Sequence, residues 1–239
     1  MPGKGGFMTR SIHKMIDEQI KRWEMQKKQG VSPVDTCNVI TISRQRGSRG
    51  HEVAEALAKA LGFDLFDYEI VEGMIKETKD SSDRSKTLVE TDRAKTLLDT
   101  LDEKKMSIVD DLIAALVHKH HLWPDEYSKI LLRVLNTIGS HGNAVILGRG
   151  GNFALKDTNA LRVRIVAPDD MRCKVVQKDK GLSADDAKKL MVSIDANRRA
   201  FIRRYFNADT QDPANYDLVL NTDKISVEKA VSIIQAALA

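Results

Sequence analysis

Arginine and glycine recur together at two places in this chain, and that pairing suits the binding of phosphate. The first is Ile40-Thr-Ile-Ser43-Arg44-Gln45-Arg46-Gly47-Ser48-Arg49-Gly50-His51-Glu52-Val-Ala54, a β-branched run that breaks into glycines and then into a helix. Backbone N–H groups freed at such a turn, with the partial positive charge of the following helix N-terminus, make an anion site. Arg44, Arg46 and Arg49 add full charges beside it. The phosphate-loop pattern GxxxxGK[ST] is only partly present. Ending it at Gly50 puts Gln45 in the place of the first Gly, His51 in that of Lys and Glu52 in that of Ser or Thr. On that pattern alone a phosphate site and an ordinary tight turn both stay open.

The second place is Ala144-Val-Ile-Leu-Gly148-Arg149-Gly150-Gly151-Asn152, again glycines closing a strand, here around one arginine. Ligands of open α/β sheets sit beyond the carboxyl ends of the strands, so both loops can face one cleft. A glycine turn with a solvated arginine is the alternative. A third cluster, Asp195 to Phe206, sets Arg198 and Arg199 one helical turn from Arg203 and Arg204. Such a segment either clamps phosphates on closing or is a solvated basic face. His118, His120 and His121 lack the matching carboxylate or cysteine spacing of a metal site and read as a helix-end cluster.

The elements that must position these residues can be read from periodicity. Residues 9–29 form an amphipathic helix with Ile12, Met15, Ile16, Ile20 and Trp23 on one face, stopped by Gly30 and Pro33. Cys37–Ser43 is a buried strand, His51–Leu61 a helix and Phe63–Phe66 a second strand. Residues 69–143 read as helices, with Val109, Leu112, Ile113, Leu116 and Val117 on one face and Ile130, Leu131, Val134, Leu135 and Ile138 on another. Strands return at 144–147, 161–166 and 216–220, and Ser226–Leu238 is the last helix. Strands alternating with helices indicate a parallel α/β sheet.

Composition narrows the function classes. The chain has 239 residues, 42% hydrophobic, with 14 Gly and 5 Pro, which suits one large domain with an insert and is too apolar for global disorder. No apolar run is long enough for a membrane helix and no secretory core stands at the N-terminus, so the expectation is a cytoplasmic protein away from membranes. Cys37 and Cys173 form no CxxC pair and read as reduced thiols. The net charge of +4 is carried entirely by residues 1–30, leaving the rest of the chain neutral. With aromatics at 5%, nothing asks for nucleic acid as a partner.

About residues 38–237 resemble the cytidylate kinase-like family, a divergent branch of the P-loop nucleoside monophosphate kinases. Ile42-Ser43-Arg44 followed by Gly47-Ser48 and Gly50 is similar to the family's modified phosphate loop, which also commonly lacks the lysine. Leu65-Phe66-Asp67 resembles the opening of its monophosphate-binding region, and Gly148-Arg149-Gly150 its Gly-Arg-Asp stretch. Asp195 to Phe206, with Tyr216-Asp217-Leu-Val-Leu-Asn221-Thr222, is similar to its C-terminal signature.

The resemblance implies an α/β fold, a five-stranded parallel sheet flanked by helices, with a helical insert at about 67–143 and a lid at about 170–206. Residues 1–34, the N-terminal helix and linker, lie outside it as an accessory element, and 35–239 make the kinase-like domain. It implies ATP and Mg²⁺ as cofactors and nucleotides as substrates, and is compatible with a homodimer. It places ATP phosphates over Ser43, Arg46, Gly47, Ser48, Arg49, Gly50, His51 and Glu52, and the acceptor near Asp67, Arg149 and Gly150. Arg172, Arg198 and Arg199 are its lid arginines beside the transferring group. Arg44, at the carboxyl end of its strand, is the candidate to replace the missing lysine. Metal ligands are not indicated: no Ser or Thr holds the usual position, and Gly150 stands where the acidic residue would be. The expected activity is ATP-dependent phosphoryl transfer to a cytidylate-type monophosphate or a similar small acceptor. The alternative is an inactive nucleotide-binding regulatory or interaction protein on the same fold.

Overall fold

The computed structural model describes Glu18 and residues 20–25, 38–82 and 126–238. The apolar face at Val109–Val117, the three clustered histidines, Cys37 and much of the helical insert lie outside the described residues.

Five strands build the sheet: β1 (Val39–Arg44), β2 (Asp64–Phe66), β3 (Ala144–Leu147), β4 (Leu161–Val166) and β5 (Leu218–Asn221). Their order is β2-β3-β1-β4-β5, and every neighbouring pair is parallel. A parallel sheet is covered on both faces, which is why Val39, Ile40 and Ile42 of β1 and all four residues of β3 are apolar and buried. The register pairs Ile42 with Leu147 and Arg44 with Ile165, so β1, β3 and β4 end together at one edge.

Helices α1 (Gly50–Leu61) and α7 (Val227–Ala236) cover one face, packing Val53, Leu57, Ala230 and Ile234 on Ile40, Ile42, Val145 and Ile165. On the other face lie α2 (Tyr68–Ser82), α3 (Glu126–His141) and the short α4 (Gly151–Ala154). There Val71, Met74, Leu131, Leu135, Ile138 and Phe153 meet Val39, Phe66 and Ile146. The expected face Ile130, Leu131, Val134, Leu135 and Ile138 is buried throughout. Two further helices, α5 (Asp169–Lys180) and α6 (Ala184–Phe206), form a hairpin that returns over the carboxyl edge of the sheet. Ser183 caps α6 by accepting the N–H of Asp186, and Gly181 ends α5 in the left-handed region. No described helix is long and apolar enough to cross a membrane.

The start of the fifth strand differs from expectation. The fifth strand begins at Leu218 rather than Tyr216. Pro213–Asn215 form a 3₁₀ turn just before it, and Asp217 is turned toward Arg162. Arg162 meets that carboxylate through Nε at 3.1 Å and Nη2 at 2.5 Å, and its own N–H donates to it at 2.8 Å. The two-pronged pairing holds the Asp217 carboxyl below its usual range and ties β4 to the entry of β5.

Sequence reasoning set residues 1–34 aside as accessory. From the apolar stripe of that segment, Ile20 and Trp23 are buried in the core cluster that contains Phe66 and Ile138. The Trp23 ring stacks on His141 at 4.1 Å and on Phe66 at 6.1 Å, and Arg22 pairs with Asp64. Trp23→Ala is therefore expected to lower unfolding free energy by about 3 kcal/mol, read by urea titration. An unchanged midpoint and slope would show that this segment is not part of the core.

Candidate active site

At the shared carboxyl edge the two glycine loops and helix α6 enclose a cavity of about 600 Å³. Its wall includes Ser43, Arg44, Arg149, Arg164, Arg198 and Arg199, with the aromatic rings of Tyr68 and Phe201. Size and lining suit a small, strongly anionic ligand with a flat or apolar part.

The second loop is an unusual piece of backbone. Gly148, Arg149 and Gly150 have φ of 85°, 52° and 74°, three left-handed residues in succession. Space as well as dihedral demands the glycines. A Cβ on Gly148 would lie 2.1 Å from Arg44 Nη1, and one on Gly150 would lie 2.1 Å from the Phe206 ring. Arg149 adopts the left-handed region at a cost of about 1–2 kcal/mol and is held there by its surroundings. Its guanidinium lies between two rings, 3.9 Å from the centre of Tyr68 and 4.7 Å from that of Phe201. Its Nε is 3.1 Å from Glu72, an ion pair in which the N–H is not aligned on the oxygen. Tyr127 donates to the same carboxylate at 2.5 Å, and burial together with that bond pushes its hydroxyl well above its usual range.

Arg44 spans the two loops. Its stem lies against the start of α1, where a Cβ on Gly50 would be 2.4 Å away, and its head fills the space that a Cβ on Gly148 would need. Burial, then the neighbouring charges of Arg198 and Arg149, lower its pKa to about 9, against the opposing pull of Asp67 and Asp195. Arg198 donates to the Arg44 carbonyl at 3.1 Å, and burial lowers its pKa as well. Arg199 lines the same wall.

The first loop is tightly braced. The Ser48 hydroxyl is buried and donates to the carbonyls of Gln45 at 2.9 Å and Ile165 at 3.2 Å, while Thr222 donates to the Ser48 carbonyl at 2.9 Å. From α6, Asp195 accepts the Arg46 N–H at 2.8 Å. Arg172 of α5 donates to the Arg46 carbonyl at 3.2 Å and to the carboxylates of Asp195 at 2.5 Å and Asp169 at 2.6 Å. A Cβ on Gly47 would strike the Arg172 carbonyl oxygen at 2.4 Å.

Of the residues singled out from sequence, Ser43, Arg44, Arg149, Gly150, Arg198 and Arg199 share the cavity wall. Arg46, Gly47, Ser48, Arg49, Gly50, His51 and Glu52 sit beside it rather than on it. Arg49 is exposed at φ 57°, and His51 is exposed and faces Glu55 at 3.3 Å. Arg172 is buried in the brace just described. Asp67 caps α2, accepting the N–H groups of Glu69 and Ile70. Among the described residues no group of three or more His, Cys, Asp or Glu could hold a metal ion. Glu52 also stands where a phosphate loop carries its metal-binding hydroxyl, so that position supplies no hydroxyl to the Mg²⁺ that the resemblance implies.

Sequence reasoning missed Asp195, Arg164, Asn152 and the two rings, all in the wall. Arg164 donates to the Ser43 hydroxyl at 2.8 Å and to Tyr216 at 3.2 Å. The alternation of Arg162 and Arg164 in β4 was the available signal: same face, with Arg164 nearer the carboxyl edge.

Two outcomes follow from this geometry. A bound anion draws the Arg44 pKa back up from about 9, so binding takes up a proton above that pH. The affinity for inorganic phosphate is expected to fall as pH rises from about 8 to about 10.5, and to lose that slope in Arg44→Gln. A slope that survives in the variant would locate the titration elsewhere. Gly150→Asp, which restores the acidic residue of the resemblance, is expected to destabilise the fold by about 2–4 kcal/mol, because Phe206 fills the space and φ is positive. Unchanged thermal unfolding would show that Phe206 gives way freely.

Comparison with known proteins agrees with this architecture. The profile of the cytidylate kinase-like family matches residues 39–224. Cytidylate kinases of Pyrococcus horikoshii and Methanocaldococcus jannaschii are 34% identical over 98 residues and 29% identical over 104, which is 41% and 42% of this chain. Those stretches are 50% and 58% of the two relatives, so the chain spans about half the length of the curated relatives it matches. A crystal structure of an uncharacterized protein from Eubacterium ventriosum superposes with a TM-score of 0.62 at 21% identity, covering 84% of this chain and 98% of that one, a likeness of fold. With the profile running from the first strand past the last, this chain belongs to the cytidylate kinase-like family.

Proposed function

We propose that this protein transfers the γ-phosphoryl group of ATP to a nucleoside monophosphate of cytidylate type, or to a similar small phosphate-bearing acceptor. The observation that carries the reading is the convergence of Arg44, Arg149, Arg164 and Arg198 on one cavity beside the first glycine loop. Phosphoryl transfer needs little covalent help from a protein. It needs two anions held in line and the charge on the transferring oxygens neutralised.

Each group has a role in that scheme. The acceptor phosphate sits against Arg149, whose orientation is already fixed by Tyr68, Phe201 and Glu72. An oxygen of that phosphate attacks the γ-phosphorus, the bond to the β-phosphate oxygen breaks, and ADP leaves with the charge. Arg44, crossing from the first loop to the second, faces the transferring group from below, and Arg198 and Arg199 face it from α6. The brace at Ser48 and Thr222 fixes the shape of the first loop, which seats the triphosphate without a lysine. The substrates are soluble nucleotides, which suits a cytoplasmic protein.

Two observations favour a second reading, a nucleotide-binding protein that has lost the chemistry. His51 faces Glu55 rather than the loop, and the Arg46 N–H is taken by Asp195. A panel of ribonucleoside monophosphates incubated with ATP and Mg²⁺ separates the two. Diphosphate formation with a pyrimidine monophosphate is the expected result; ATP binding without transfer to any acceptor favours the second reading.

The role of Arg149 has its own expected outcome. A hydrogen bond to a charged group is worth about 1.5–3 kcal/mol, so Arg149→Ala should weaken monophosphate binding roughly ten- to a hundredfold with ATP affinity little changed. Calorimetric titration with each nucleotide separately reads both numbers. Loss of ATP affinity alone would exchange the two halves of the site.

A further inference from the structure

Arg164 stands on β4, half-buried, and lines the cavity. One edge of its guanidinium is occupied by protein. Nη1 donates to the Ser43 hydroxyl at 2.8 Å and to that of Tyr216 at 3.2 Å, and Tyr216 in turn donates to the Thr210 carbonyl at 3.0 Å. The head also lies over the Tyr216 ring, 5.3 Å from its centre. The other edge, Nε with Nη2, has no protein partner, and neither nitrogen is enclosed. That edge is the one that grips a carboxylate or phosphate through two parallel N–H bonds. Among the described residues no carboxylate pairs with it, whereas Arg149 has Glu72 and Arg198 has Asp195. A guanidinium fixed by hydroxyls on one side and open on the other is preorganised for an oxyanion.

This open edge is separate from the seat at Arg149. β1 lies between β3 and β4, and neighbouring strands are about 4.8 Å apart, so β3 and β4 are about 10 Å from each other. The charges between them fall in a row. Burial lowers the pKa of Arg44 and of Arg198, and other guanidiniums add to it: Arg198 and Arg149 act on Arg44, and Arg46 and Arg164 on Arg198. Nor is Arg164 on the side of the sheet where the first loop runs into α1. Its neighbours Val163 and Ile165 pack with Val53 and Leu57 of that helix. Arg164, between them, points to the opposite face, as does its register partner Ser43. The cavity wall continues there through Asn197, Thr210 and Gln211, which are neutral.

We propose that the Nε–Nη2 edge of Arg164, beside Arg198, is a second anion subsite of the cavity, and that it takes a second anionic group of the acceptor, remote from the phosphate on Arg149. This deepens the phosphotransferase reading and rests on it. The acceptor is then a doubly anionic molecule, either a bisphosphate or a monophosphate that also carries a carboxylate.

The test is calorimetric titration of wild type, Arg164→Gln and Arg164→Lys with matched pairs that differ by one anionic group. The pairs are CMP and cytidine 3′,5′-bisphosphate, UMP and orotidine 5′-monophosphate, and fructose 6-phosphate and fructose 1,6-bisphosphate. The quantity read is the ratio of affinities within a pair, so a general weakening of a variant cancels. In wild type at least one doubly anionic ligand should bind about ten- to a hundredfold more tightly than its partner. A gain with a bisphosphate marks the second group as phosphate, and a gain with the orotidine nucleotide marks it as carboxylate. Arg164→Gln should bring that ratio down to about one or two, with ATP affinity within about twofold of wild type. Arg164→Lys keeps a charge without the fork, and carries the test should Arg164→Gln fail to fold. It should keep less than about a third of the gain. Ratios near one for every pair in wild type overturn the inference, as does a gain that survives both variants. A loss of ATP affinity as large as the lost gain also overturns it, by giving Arg164 to the donor. A gain confined to the sugar phosphates upholds the subsite and removes nucleotides as acceptors. Wild type that binds neither member of any pair overturns the subsite and the phosphotransferase reading together.

Discussion

Repulsion between buried guanidiniums is the constraint on which the rest of this structure depends. Five arginines line one cavity of about 600 Å³, all but the exposed Arg199 half-buried, and among the described residues Asp195 is the one carboxylate in its wall. Taking such charges out of water is expensive, and their mutual repulsion adds to the cost. The fold answers each charge separately. Arg149 is placed between aromatic faces, Arg164 donates to two hydroxyls, Arg198 donates to a main-chain carbonyl and lies 3.6 Å from Asp195. Arg44 is the least compensated, and its lowered pKa records that. A ligand bearing several negative charges relieves all of them at once, which is the electrostatic sense in which the cavity is complementary to a polyanion.

The braces around the first loop follow from the same constraint. Several of the loop's N–H groups are themselves committed, Gln45 to the Ile165 carbonyl, Arg46 to Asp195 and Ser48 to the Gln45 carbonyl. Here the carbonyls of Gln45 and Ser48 are engaged by hydroxyls, and that of Arg46 by Arg172. Ser48 and Thr222 are both fully enclosed, so the hydrogen bonds between them work without competition from water. The lid arginine expected from the resemblance, Arg172, is part of this bracing, while Arg198 and Arg199 reach the cavity.

Much of the fold was legible in the residues, and the reason is local. The β-branched run at Val39–Ile42, the apolar run Ala144–Leu147 and the period of Ile130–Ile138 each state an element without reference to the rest of the chain. Arg44, Arg149 and Arg198 could be singled out because strand ends and glycines announce where ligands approach. What could not be read depends on distant partners. Nothing near Gly150 signals that Phe206 lies against it, and nothing near Asp195 signals that it accepts an N–H from Arg46. The burial of Trp23 required His141 and Phe66 to be its neighbours, and they lie far along the chain.

Helix α6 carries Asp195 and Arg198 one turn apart, the first fastened to the main chain of the glycine loop and the second to the carbonyl of Arg44. The two fastenings lie on the same rigid rod, so they cannot be released one at a time. Any swing of α6 that admits a molecule to the cavity also strips the loop of an acceptor and Arg44 of a donor. Opening of the cavity on this side and loosening of the glycine loop thus become a single mechanical event, set by the stiffness of one helix.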